Sequence, residues 1–211
     1  MIRLGKMEQF NYNLTRYSMQ HSIYTTLILL ITLFFLTSSM YSEVNIQKDS
    51  KSKTQNLSKK FVTRVCTQNE SQEVDDFHNR LRSEVGCEKI SYSDKLALVA
   101  LEWCQELGRK NGAFEHRPQT GSFARMYGEN IYMGTKSSTP FLDAMQLWAT
   151  EKSKFRNVVL NQSNWMKAGH YSQMIWNKSI KVGCAVVEIN GNCIVVCNYD
   201  PTGNMLGEKT F

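Results

Sequence analysis

Three observations predict an α+β protein, specifically a three-layer α-β-α sandwich around a central antiparallel sheet. Near the C terminus, "KVGCAVVEINGNCIVVCNYD" sets two β-branched runs on either side of Asn190-Gly191, the dipeptide that a two-residue type I′ hairpin turn prefers. Both faces of that hairpin are apolar, so it needs a covering layer on each side. Upstream, three segments carry apolar residues at helical spacing and supply those layers.

The hairpin comes first because its turn sets its register. If Ile189 pairs with Asn192, opposed residues sum to 381, and Cys184 then faces Cys197. Counting from the turn makes this a non-hydrogen-bonded pair, with Cα atoms ~4.5 Å apart and within reach of a disulfide. Val186, Val195 and the bridge share one face; Ala185, Val187, Ile189, Ile194 and Val196 share the other. The first helix is read over 71–85 from Val74, Phe77, Leu81 and Val85, and the second from Leu96, Val99, Ala100, Trp103 and Leu107. Ser91 with Asp94 three residues on forms a capping box for the second helix. In the third, Thr139 is the N-cap, Pro140 takes the first helical position, and Phe141, Ala144, Met145, Trp148 and Phe155 form the stripe.

The N-terminal third differs in kind. The uncharged run "IYTTLILLITLFFL", residues 23–36, follows Arg3, Lys6 and Arg16 and precedes the small-residue tract "TSSMYS". Its 14 residues fall short of the ~20 a spanning helix needs and suit a secretory h-region, with an uncleaved anchor as the competitor. Residues 1–42 are therefore expected to be a signal peptide, with Met19 an alternative start. Residues 43–65 are expected to be a flexible polar tail, lysine-rich and without hydrophobic period, and 66–211 the single folded domain. Export predicts an extracellular protein that is not membrane-embedded once the leader is removed.

The net charge of +6 falls to +4 without the leader, because three basic residues and one acidic residue leave with it. No Lys/Arg stripe interleaved with aromatics is present, so nucleic acid is excluded as a partner. The six cysteines all follow the leader and are even in number, as disulfides in an oxidising compartment require. Beyond Cys184–Cys197, the remaining Cys66, Cys87, Cys104 and Cys193 are expected to pair, in one of three ways that the sequence leaves open. Asn56, Asn69, Asn161 and Asn177 head glycosylation triplets.

Four motifs in order, "HNRLR" (78–82), "GENIY" (128–132), "GHYSQMIW" (169–176) and "CNYDPTGN" (197–204), resemble the signatures of the superfamily of cysteine-rich secretory proteins, antigen 5 and plant pathogenesis-related proteins. The venom-allergen-like members are the most similar. The resemblance runs from about Val74 to Phe211 and implies an open cleft floored by two histidines and two glutamates. Carried onto this chain, these are His116, Glu129, Glu151 and His170. The resemblance also implies an extracellular lipid carrier, taking fatty acids or sterols, and a host or receptor partner. The sterol loop of relatives corresponds here to "KFRNVVLNQSNWMK", with Phe155 and Trp165 its only aromatics. The chain ends soon after "YDPTGN", so the cysteine-rich C-terminal module of some relatives is not expected. It also has Ile189 where many relatives carry a cysteine.

Two imidazoles and two carboxylates permit three kinds of chemistry. They can hold a divalent cation, zinc being the natural one for nitrogen and oxygen ligands, with open positions for water. They can bond to one another as a satisfied polar network. They can also serve a metal-dependent hydrolase in which a glutamate is the base. A serine route would pair Ser172 with His170 or His116, but no GxSxG elbow accompanies it. The reading reached is therefore a binding protein without a catalytic residue. His78 of "HNRLR" is assigned a structural hydrogen-bonding role.

Overall fold

The structure is a computed structural model describing residues 61–211. The expected leader, most of the expected tail and Asn56 lie outside the described residues. Four strands run antiparallel in the order β1 (Phe61–Val65), β4 (Lys181–Ile189), β5 (Asn192–Asp200), β3 (Gly128–Thr135), and the two-residue β2 (Ser91–Tyr92) adds a short parallel pairing to β4. Helices α1 (Gln68–Ser83), α3 (Pro140–Thr150) and α4 (Gly169–Met174) cover one face, and α2 (Asp94–Arg109) covers the other. The fold is the expected α-β-α sandwich.

The hairpin follows its turn chemistry. Asn190 and Gly191 both take positive φ, 51° and 77°, as a type I′ turn requires. Every β4–β5 pair sums to 381, and Cys184 and Cys197 form a disulfide with Cα atoms 4.1 Å apart. The two strands lie at the centre of the sheet, and their faces divide as the register dictates. Cys184, Val186, Val195 and Cys197 pack under α1 and α3, while Ala185, Val187, Ile194 and Val196 pack under α2. Gly183 lets α2 approach, because a Cβ there would collide with the backbone of Ser93, Leu96 and Ala97.

Three expectations need correction. Residues 61–65 are not tail: the β-branched stretch "FVTRV" adds β1 to the free side of β4 and sets the Phe61 ring against Gly108. The first helix starts three residues early, because Thr67 and Glu70 form a reciprocal capping box. The second helix is capped by Ser93, which accepts from the Leu96 N–H, while Ser91 belongs to β2. Thr139 stands at the N-cap and Pro140 opens the third helix as expected, with the Thr139 hydroxyl bonded to the Asp143 side chain.

The cysteine expectation fails beyond the first bridge, since Cys66, Cys87, Cys104 and Cys193 are free thiols in this structure. The sheet supplies the reason for one pair: Cys193 sits in the core under α1 and α3, and Cys104 in the core on the opposite side. Cys87 and Cys193 donate instead to the carbonyls of Ile175 and Thr135. Burial pushes the Cys66 thiol up to about 12 and raises that of Cys104 as well, so neither is a ready thiolate.

The polar residues of "HNRLR" are braces. Arg82 is fully buried without a carboxylate, and its guanidinium donates to the carbonyls of Glu88, Met174, Trp176 and Asn177. Asn79 both donates to the Ile90 carbonyl and accepts from its N–H. His78 is enclosed, donating from Nδ1 to the Val74 carbonyl at 2.8 Å and accepting at Nε2 from the Tyr199 hydroxyl at 3.0 Å. Burial pushes its pKa down to about 4, so it stays neutral.

Candidate functional site

A cleft of about 470 Å³ opens at one end of the sheet. The four candidate residues reach it from separate segments. Glu129 projects from β3, and His116 comes from the loop after α2. Glu151 begins a 3-10 turn that extends α3, and His170 lies in the first turn of α4. Three of the four, His116, Glu129 and His170, line the cleft, while Glu151 lies one layer behind.

The tertiary structure sorts these residues into two pairs. His116 donates from Nδ1 to Glu129 Oε1 at 2.6 Å, and the same oxygen accepts from the Arg117 N–H at 3.0 Å. The Glu129 side chain is fully enclosed, and its other oxygen has no hydrogen-bond partner. His170 donates from Nδ1 to Glu151 Oε1 at 2.8 Å, while Oε2 accepts from the N–H groups of His170 and Tyr171 at 2.9 and 3.1 Å. Glu151 thus caps α4, whose preceding residue Ala168 offers no side-chain acceptor. Burial opposes its charge, but the hydrogen bonds from His170 and Tyr171 prevail and hold its carboxyl below the usual range. The His170 ring also stacks on Trp148, with centroids 5.9 Å apart and planes 10° from parallel.

In each pair Nδ1 carries the proton, which leaves Nε2 without a protein partner. A carboxylate behind an imidazole fixes the ring and its tautomer, as it does behind histidines that ligate metals. Among the described residues, however, no group of three or more His, Cys, Asp or Glu side chains is placed to hold an ion. Both rings line the cleft.

Ser172 is committed elsewhere. It is buried, and its hydroxyl approaches Asn204 Oδ1 at 2.6 Å and the Gly169 carbonyl at 3.2 Å, with no hydrogen bond to either histidine. The sequence did not reveal the role of its neighbours. Gln173 holds Gly203 and Ser179, and Asn204 donates to the Gly169 carbonyl, so the polar residues of "GHYSQMIW" and "CNYDPTGN" bind the two motifs together along the cleft wall. Asn130 donates to the His170 carbonyl and the Tyr199 hydroxyl, joining the site to His78. Trp165, Met166 and Leu206 add apolar surface to the cleft lining. Trp165 and Met166 fall within the stretch compared with the sterol loop of relatives, whereas only its exposure distinguishes Leu206.

Sandwich and cleft together define a class of domain in which motif residues from distant segments enclose a paired His–Glu site. The family model described as "CAP: Cysteine-rich secretory protein family" matches residues 76–199. The chain belongs to that family. It is 32% identical over 153 residues to pathogenesis-related protein 1C of Nicotiana tabacum, covering 72% of this chain and 87% of that one. Pathogenesis-related protein 1 of Arabidopsis thaliana is 34% identical over 135 residues, covering 64% and 78%. Among solved structures, "NaASP2 with Zn2+" superposes with a TM-score of 0.61 at 24% identity, covering 69% of this chain and 86% of that one. Among the described residues no helix is long and apolar enough to cross a membrane.

Proposed function

We propose that the protein is an exported, non-enzymatic carrier of an amphipathic lipid, a fatty acid or a sterol, acting in an extracellular or host-interaction setting. One observation carries this reading. The cleft lining combines polar residues, among them His116, Arg125 and His170, with the apolar Trp165, Met166 and Leu206. A ligand with a polar head and a hydrocarbon body matches both. The stripes of α1 and α3 are less suited to the task, since Val74, Phe77, Leu81, Phe141, Met145 and Trp148 all pack into one core.

Zinc or another divalent cation is a secondary occupant. Nε2 of His116 and of His170 would hold it, with water completing the shell, and the ion would supply a positive charge for an anionic headgroup. The commitment of Ser172 to Asn204 supports binding over acyl transfer. The alternative is a metal-dependent hydrolase in the same cleft, with Glu129 as base. Its buried carboxylate, already holding His116 and the Arg117 N–H, favours a positioning role instead.

The test is organic extraction and mass spectrometry of lipid carried by the purified protein, followed by uptake of radiolabelled palmitate and cholesterol. Co-purified or competitively bound lipid is expected. A protein that takes up neither would refute the carrier reading. Turnover of peptide or ester substrates that vanishes in Glu129→Gln would establish the hydrolase in its place.

A further inference from the structure

The most unusual surface of the described domain lies beside the cleft mouth. Six of its fourteen exposed large apolar residues come from two short stretches, Val158, Val159, Trp165 and Met166 from one and Met205 and Leu206 from the other. These stretches are contiguous. The Leu160 N–H donates to the Glu208 carbonyl at 2.8 Å and the Gly207 N–H to the Leu160 carbonyl at 2.9 Å, so one strap lies against the other. Single exposed apolar residues need no explanation, but a cluster of this kind marks an interaction surface.

Charge indicates what that surface meets. Residues 152–167 contain Lys152, Lys154, Arg156 and Lys167 and no acidic residue. Lys152 is paired with Glu84. Lys154, Arg156 and Lys167 make no ion pair among the described residues, and all three line a groove of about 200 Å³ with Val158, Leu160 and Trp165. Protein interfaces are depleted in lysine, whereas unneutralised cations set among Trp, Met, Leu and Val suit the headgroup region of an anionic membrane.

We propose that the face formed by residues 154–167 together with Met205 and Leu206 docks peripherally on an anionic lipid bilayer, bringing the cleft mouth against the headgroups. The proposal extends the lipid-carrier reading and rests on it for its purpose, but contact with the bilayer is measured separately from lipid uptake. The Asn161 glycosylation triplet falls within this face, so a glycan there would hold the surface away from a membrane.

The test uses protein secreted by a eukaryotic host, as that host processes it, with Asn161→Gln to remove the glycan site. It is mixed with vesicles of phosphatidylcholine alone or with phosphatidylserine added, and partition is read by sedimentation. Trp103, Trp148 and Trp176 are buried, so a blue shift in tryptophan emission reports Trp165. Partition onto the serine-containing vesicles is expected, with a blue shift, and both should weaken at high salt. Lys154→Gln, Arg156→Gln and Lys167→Gln together should lower partition about 100-fold, at ~1 kcal/mol for each cation near the surface. Trp165→Ala should weaken binding and abolish the shift. Equal partition onto both vesicle types, an unaltered triple variant, or an equal shift with soluble glycerophosphoserine would each overturn the proposal. Protein that carries lipid yet ignores vesicles would sink the docking face alone, whereas protein that docks yet carries no lipid would sink the carrier reading alone.

Discussion

The two histidine–glutamate pairs at the cleft share their chemistry and differ in support. Both oxygens of Glu151 are engaged, by three N–H donors from one stretch of backbone and one ring. Glu129 uses only one oxygen, which accepts twice, and its other oxygen is buried without a partner. The Glu151 carboxylate therefore belongs to the architecture of α4, and the Glu129 carboxylate chiefly orients His116. Unequal engagement of the two oxygens lets an isosteric amide separate these roles, since Glu→Gln removes one acceptor and adds a donor.

The largest effect sharpens the comparison from outside, at the histidine that has no carboxylate. His78→Ala should cost about 3 kcal/mol, because it opens a cavity, removes the ring donor to the Val74 carbonyl and leaves the Tyr199 hydroxyl proton without its acceptor. Denaturant melts with an unchanged m-value check this. Wild-type stability should also decline as the pH falls from 6.5 towards about 4. In that window the unfolded histidine binds a proton and the folded one does not. His78→Ala should lack that portion of the decline.

Next comes Glu151→Gln, expected to destabilise by about 1.5 kcal/mol through loss of charge-assisted bonds at the α4 N terminus. If the amide oxygen keeps the two backbone N–H groups, its NH2 faces His170 Nδ1, which must become an acceptor. Nitrogen-15 shifts of the ring should show that change of tautomer. Because folding holds the Glu151 carboxyl below its ordinary value of 4.5, its contribution is fully present above that pH. It is lost as pH falls through the lower folded value, and the variant should lack this acid limb.

Glu129→Gln should have the smallest effect, about 0.5 kcal/mol or less, with the His116 tautomer retained, because the amide NH2 can replace the oxygen that has no partner. Equal costs and equal tautomer behaviour in the two glutamine variants would break the comparison.

Local and distant information contributed unequally to what was legible in the sequence. The hairpin, its register and the Cys184–Cys197 bridge were readable because Asn190-Gly191 sets the pairing and every later residue follows by counting. The helices were readable from their stripes, although their first residues depended on caps such as Thr67 and Ser93 that compete with similar residues nearby. Glu129 and His170 were reached through the motifs that contain them, and His116 and Glu151 mainly through their spacing from those motifs. Nothing in their spacing says that His116 binds Glu129 and His170 binds Glu151.

Short-range chemistry was enough for the chain itself to specify its central hairpin, its two apolar sheet faces and the helices that cover them, since turn preference and residue period act within a few positions. Folding in three dimensions decided which carboxylate stands behind which imidazole, which cysteines the sheet keeps apart, and that residues 61–65 join the sheet. These outcomes depend on the order of strands and the direction of side chains arriving from segments far apart in sequence. No local preference encodes that placement.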